Sequence, residues 1–158
     1  MNKAPASIWR NPVHFLAFGL GSGASPWAPG TAGTLAAVPI YFLLAQLPLA
    51  YYLAMLLLTF VMGCWLCGKT SSDLGVHDHG GIVWDEFVGY WLTMLALPVS
   101  WSWALAGFVL FRIFDILKPW PIRWIDKKVE GGFGIMLDDV LAAVYAGGLL
   151  HLAYYWLN

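Results

Sequence analysis

Two pairs of adjacent acids stand at the entrances of apolar segments: Asp85 and Glu86 in "SDLGVHDHGGIVWDEFVG", and Asp138 and Asp139 in "GGFGIMLDD". Between them lies "RIFDILKP", where Arg112, Asp115 and Lys118 recur every three residues, so all three can share one helix face. Clustered carboxylates in a low-dielectric setting repel one another unless protons, basic groups or a cation offset them. A divalent ion such as Mg2+ does this through oxygen ligands and characteristically shares its shell with a phosphate. The residue types therefore point to a metal-assisted phosphoryl site. Asp85, Glu86, Asp138 and Asp139 would surround Mg2+, and Arg112 and Lys118 would stabilise charge on the phosphoryl group. A single acid at a helix start is an ordinary dipole partner; two such pairs ask for more than capping.

Other groups are weaker signals. "SPWAPGTAGTLAA" opens an apolar segment, and the first turn of a helix offers unpaired N–H groups and a positive dipole end to an anion. Thr31, Gly33 and Thr34 are the candidate phosphate contacts there. No GK[ST] follows, so this is not a P-loop, and a capping threonine beside a turn glycine is the plain alternative. His77, Asp78 and His79 precede the first acid pair. The alternating histidines suit zinc or copper by type, but no cysteine or third histidine completes such a set nearby. Cys64 and Cys67 sit three apart inside an apolar run, where free cysteine acts as a small packing residue. Asp126, Lys127 and Lys128 read as a solvated or headgroup-facing patch.

These groups need helices to carry them. The 158 residues are 60% hydrophobic and 11% charged, with a mean hydropathy of +0.69. A soluble domain carries about 25% charged residues, so the composition indicates a membrane protein, organised as a single domain over residues 1–158. The pI near 6.4 and the lack of a basic stripe exclude a nucleic-acid binder. The first 31 residues contain Pro5, Pro12, Pro26 and Pro29 and do not read as a signal peptide. The expected spans are residues 31–47 and 49–67 as a tight hairpin about Pro48, two short helices within 87–111 turning near Pro98, and 140–157. The predicted fold is all-α and polytopic, with about five helices: two hairpins and a C-terminal helix. One kinked span over 87–111 is the alternative. The hairpin reading places residues 1–30, 69–86 and 112–139, and with them every Lys and Arg, on one face. The positive-inside rule makes that face cytoplasmic. Trp101 and Trp103 then mark the opposite interface, and Trp120 and Trp124 dip a stretch of the charged face into the headgroups.

Four blocks, "PGTAGT", "HDHGGIVWDEFVGYW", "FRIFDILKPWPIRWID" and "GGFGIMLDDVLAA", together resemble the bacterial phosphatidylglycerophosphatase A family over about residues 21–146. The resemblance implies a Mg2+-dependent lipid phosphatase of the bacterial inner membrane, with its site facing the cytoplasm. It would hydrolyse the phospholipid phosphatidylglycerophosphate to phosphatidylglycerol and inorganic phosphate. The family's acidic blocks fall on Asp85, Glu86, Asp138 and Asp139, its basic block on Arg112, Asp115, Lys118 and Pro119, and its glycine-threonine block on Gly30, Thr31, Gly33 and Thr34. Asp115 either orients Lys118 or joins the metal shell. Asp139 and His79 both remain candidates for general base.

No DxDx[TV] aspartyl nucleophile and no Cys-x5-Arg loop is present, which favours direct attack by water. The rival class is a small metal or ion transporter, which would spread its ionisable groups along a path through the bilayer. Here they gather on one side, apart from His151. Oligomeric state is not legible in the sequence.

Overall fold

The computed structural model describes residues 4–76 and 79–157. Seven α-helices and two short 3-10 turns appear among them: α1 (Pro12–Ala17), α2 (Pro29–Leu44), α3 (Leu49–Leu74), α4 (Trp84–Thr93), α5 (Trp101–Leu117), α6 (Ile122–Asp126) and α7 (Gly131–Leu157), with the 3-10 turns at Ala6–Trp9 and Ser22–Ala24. The all-helical expectation holds. The five expected helices are α2, α3, α4, α5 and α7; α1 and α6 are additions. Pro98 falls in the turn between α4 and α5, so 87–111 forms two helices rather than one kinked span.

Two helices, α3 and α7, are long and apolar enough to cross a membrane. At 1.5 Å per residue α3 reaches about 39 Å, whereas α4 reaches only about 15 Å, half a hydrocarbon core. α3 turns Leu53, Leu57, Leu58, Val61 and Trp65 outward along one side. α7 is the central helix, packing against α3, α4, α5 and α6.

Three features depart from the sequence reading. The first hairpin is splayed: α2 and α3 are joined by the short turn before Leu49, yet α4 packs against both and holds them apart. Its rings do the bridging. Trp91 Nε1 donates to Ala37 O of α2 at 3.1 Å, and Trp84 Nε1 donates to Thr59 O of α3 at 3.1 Å. Tyr90 Oη donates to Ala104 O of α5 at 3.0 Å, and Tyr52 of α3 donates to Trp91 O at 2.7 Å. Each such bond contributes about 1 kcal/mol net, and together they fix α4 in place. Second, α3 runs past Cys67 to Leu74 and carries Lys69 and Asp73 within it. Third, "GGFG" is not a flexible turn. α7 begins at Gly131, so Asp138 and Asp139 lie two turns inside the helix rather than at its mouth. A Cβ at Gly132 would collide with Cys64 O of α3, and one at Gly134 with Val129 O. Gly132 is thus a close-approach point between helices, as small residues are in membranes, and Gly134 makes room for the loop that leads into α7.

The charged ends of the helices converge. The starts of α2 and α4, the end of α5 and the first half of α7 meet at one end of the molecule. The opposite end is an apolar pocket lined by Tyr41, Leu47, Leu49, Tyr52, Leu97 and Val99.

Candidate active site

The site is built on four helices, and α4 supplies its floor. Asp85 and Glu86 occupy the first turn of α4, where the dipole favours acids. Glu86 is buried. Arg112 Nη1, from α5, lies 3.0 Å from Glu86 Oε2 and 2.8 Å from Asp115 Oδ2. The guanidinium therefore bridges an acid on its own helix and one on α4. Thr34 completes the arrangement: its fully buried hydroxyl lies 3.2 Å from Glu86 Oε2 and 3.0 Å from Gly30 O, and Arg112 Nη1 reaches it at 3.4 Å.

The glycine-threonine block has a mechanical role here. α2 starts with Pro29 at its first position, which suits a helix start because no N–H is lost. Ala28 before it is held at φ +42, a strained region for a residue with a Cβ. A Cβ at Gly30 would collide with Glu86 Oε1 and crowd Arg112 Nη2, and one at Gly33 would meet Val83. These glycines let α2 lie directly against the acids. Thr31 stands half-buried in the same first turn, where the leading N–H groups have no intrahelical partner.

The second half of the site joins α5 to α7. α5 ends at Leu117, and Lys118 caps it in the left-handed region at φ +43, its N–H donating to Phe114 O. That conformation turns the side chain back toward α7. Lys118 Nζ binds Asp138 Oδ2 at 2.5 Å and Asp126 Oδ1 at 2.9 Å. Burial works against the Lys118 ammonium, but the Asp138 and Asp126 carboxylates outweigh it, so its pKa lies above the ordinary lysine range. Asp126 is therefore an ion-pair partner, not a member of a solvated patch.

Asp115, Asp138 and Asp139 each offer an oxygen, and these oxygens lie within 4.8 Å of one another. Asp138 Oδ1 and Asp139 Oδ2 are buried without a hydrogen-bond partner among the described residues. Asp139 is almost fully enclosed and feels the like charge of Asp115, Asp85, Asp138 and Glu86. With Asp126 on Lys118, six carboxylates among the described residues thus face two cations, Arg112 and Lys118. Unpaired buried carboxylate oxygens of this kind fit a hard, oxygen-seeking cation. Of the acids singled out from sequence, Asp138 and Asp139 stand together as expected by adjacency. Asp115 joins them, while Glu86 is engaged by Arg112 and Thr34.

The described histidines, His14, His79 and His151, lie elsewhere. His79 is buried; its Nδ1 accepts from Gly81 N–H at 3.1 Å, and its ring packs on Phe18. His77 and Asp78 lie outside the described residues. His151 contacts Gly147 O of its own helix. Asp73 pairs with Lys69 and with His14 at 3.1 Å, and His14 in turn meets Ser7 at 2.9 Å. That clamp ties α1 to the end of α3, and sequence reasoning did not single out His14. Its only signal was a lone histidine in an apolar stretch. Cys67 is buried against Met136, consistent with packing.

A family profile described as Phosphatidylglycerophosphatase A matches residues 15–154. The chain belongs to the phosphatidylglycerophosphatase A family. The match spans all four helices that carry the acid and base groups. An Escherichia coli protein named Phosphatidylglycerophosphatase A is 53% identical over 148 residues, covering 92% of this chain and 86% of that protein. A Haemophilus influenzae protein of the same name is 54% identical over 149 residues, covering 93% and 91%. A Bacteroides thetaiotaomicron protein carrying the provisional name phosphatidylinositol-3-phosphatase is 45% identical over 143 residues, covering 85% and 89%. No solved structure matches the chain.

Proposed function

We propose that the chain is a Mg2+-dependent lipid phosphatase that hydrolyses phosphatidylglycerophosphate to phosphatidylglycerol and inorganic phosphate. The observation that carries the reading is the convergence of Asp115, Asp138 and Asp139 between Arg112 and Lys118 at one end of the helices. Membership of the phosphatidylglycerophosphatase A family supports the substrate, and the two long apolar helices support a membrane setting. The excess of positive residues on the site's side supports an inner-membrane protein whose site faces the cytoplasm.

Asp115, Asp138 and Asp139 would hold the metal. A bound Mg2+ supplies polarisation of the phosphoryl oxygens and offsets charge on the attacking and departing oxygens. The phosphate lies against Arg112, whose fork matches phosphate geometry, and against the first-turn N–H groups of Gly30 and Thr31. Thr34 and Glu86 hold Arg112 in that orientation. Lys118 adds a second positive charge that persists at neutral pH. Asp139, through the carboxylate oxygen not given to the metal, accepts the proton from the attacking water and returns it to the glycerol oxygen as its bond to phosphorus breaks. His79, with Nδ1 occupied by Gly81, is the less favoured base.

The test is phosphate release from phosphatidylglycerophosphate by purified protein in detergent, with Mg2+ and with excess EDTA. Mg2+-dependent release is expected. Release that survives EDTA would retain the substrate and refute the metal. No release from folded protein would refute the function and return weight to the transporter class.

A further inference from the structure

The short helix α6 is divided into an inner and an outer face. Ile122 is fully enclosed and anchors it, and Asp126 points inward to Lys118. Tyr145 of α7 donates to Trp120 O at 3.3 Å, fastening the segment that leads in. Outward stand two indoles, Trp120 at 81% and Trp124 at 57% exposure, and three exposed cations, Arg123, Lys127 and Lys128. No ion pair among the described residues engages these three. Glu130 is the exposed acid beside them, and Asp126 is committed to Lys118, so the outer face carries a net positive charge. Exposed tryptophans with interleaved cations match the chemistry of a membrane interface rich in negatively charged lipid.

We propose that the outer face of residues 120–128, the segment built around α6, is a docking surface for anionic phospholipid headgroups. Its position gives it a purpose. The same segment that presents the cations outward holds Lys118 from inside through Asp126, and Lys118 holds Asp138 of the acid cluster. A lipid phosphate gathered by Arg123, Lys127 and Lys128 is therefore delivered one ion pair away from the site. The surface raises the local concentration of anionic lipid, substrate included, without taking part in the reaction. The kinetic consequence rests on the lipid-phosphatase reading; the docking itself does not.

Two measurements test it on the full chain in vesicles. In the first, tryptophan fluorescence is quenched by brominated phosphatidylserine or by brominated phosphatidylcholine at the same fraction. The α6 contribution is taken as the difference between wild type and Trp120→Phe/Trp124→Phe. Stronger quenching by the anionic lipid is expected, and the preference should vanish in Arg123→Gln/Lys127→Gln/Lys128→Gln. Equal quenching by the two lipids, or no quenching of this component, would overturn the proposal. In the second, the triple variant is assayed on phosphatidylglycerophosphate. KM should rise by at least about fivefold, the effect of one cation at an anionic surface, with kcat unchanged. An unchanged KM would also overturn it. A wild type that releases no phosphate defeats the phosphatase reading instead, and the quenching result then decides the docking surface alone.

Discussion

The Asp139→Asn substitution separates a site held together for function from one held together for stability. Asparagine keeps the shape of the side chain and removes its charge. The wild-type carboxylate stands with Asp115 and Asp138, their oxygens within 4.8 Å. At that distance and an effective dielectric near 20, each like-charged pair costs about 3.5 kcal/mol. The two such pairs that end at Asp139 together oppose its charge by about 7 kcal/mol before any offset. Arg112 and Lys118 already offset much of it through Asp115 and Asp138, and a net gain of about 1–3 kcal/mol is expected on the typical scale of coupled charges. For a chain of this size that raises Tm by about 2–12 °C in metal-free detergent. Turnover should fall by at least about a hundredfold, the usual loss when a charged group acting in the transition state is removed. The assay pairs thermal unfolding, with EDTA and with Mg2+, with phosphate release. Mg2+ should raise the Tm of wild type more than that of the variant, because binding to the folded state alone stabilises it. A variant that keeps full turnover removes Asp139 from the site. A variant that loses stability in EDTA refutes the electrostatic account of the cluster.

Other substitutions probe the surroundings. Gly30→Ala should lower kcat/KM by about ten- to a hundredfold by displacing Glu86 and Arg112. Gly148→Ala, where a Cβ meets open space, is the control and should be neutral or stabilising by up to about 1 kcal/mol; equal activity of the two variants would refute the close-approach role of Gly30. Cys64→Ala with Cys67→Ala should leave turnover largely intact, since both thiols pack rather than react; a folded but inactive double variant would overturn that. Lys118 has a folded-state pKa above the ordinary 10.5, so the stability contributed by its proton is in place at neutral pH and is lost only as pH rises beyond 10.5. Alkaline unfolding attributable to Lys118, read as the difference between wild type and Lys118→Met, should therefore appear only above about pH 10.5.

Local pattern alone set the helical class, the break at Pro98 and the groups worth suspecting. Apolar runs with helical spacing and proline boundaries act over a few residues, and so they are legible along the chain. Adjacent acids after a glycine-rich stretch are legible for the same reason. Which acids meet is a different matter, because helix spacing fixes neighbours within a helix and says nothing about neighbours across one. Asp115 joins Asp138 and Asp139 because α5 lies against α7, and Glu86 goes instead to Arg112 and Thr34 because α4 wedges between α2 and α3. Asp73 reads like the other acids in sequence, yet α3 runs on to Leu74 and delivers it to His14. Gly132 spells a turn by composition, and only the proximity of Cys64 O of α3 makes it a helical contact point. The sequence by itself determined the helices and the inventory of charge. The packing of α4 and α7 decided which charges share a low-dielectric site, because that choice depends on interhelical distances of a few ångströms that no local spacing encodes.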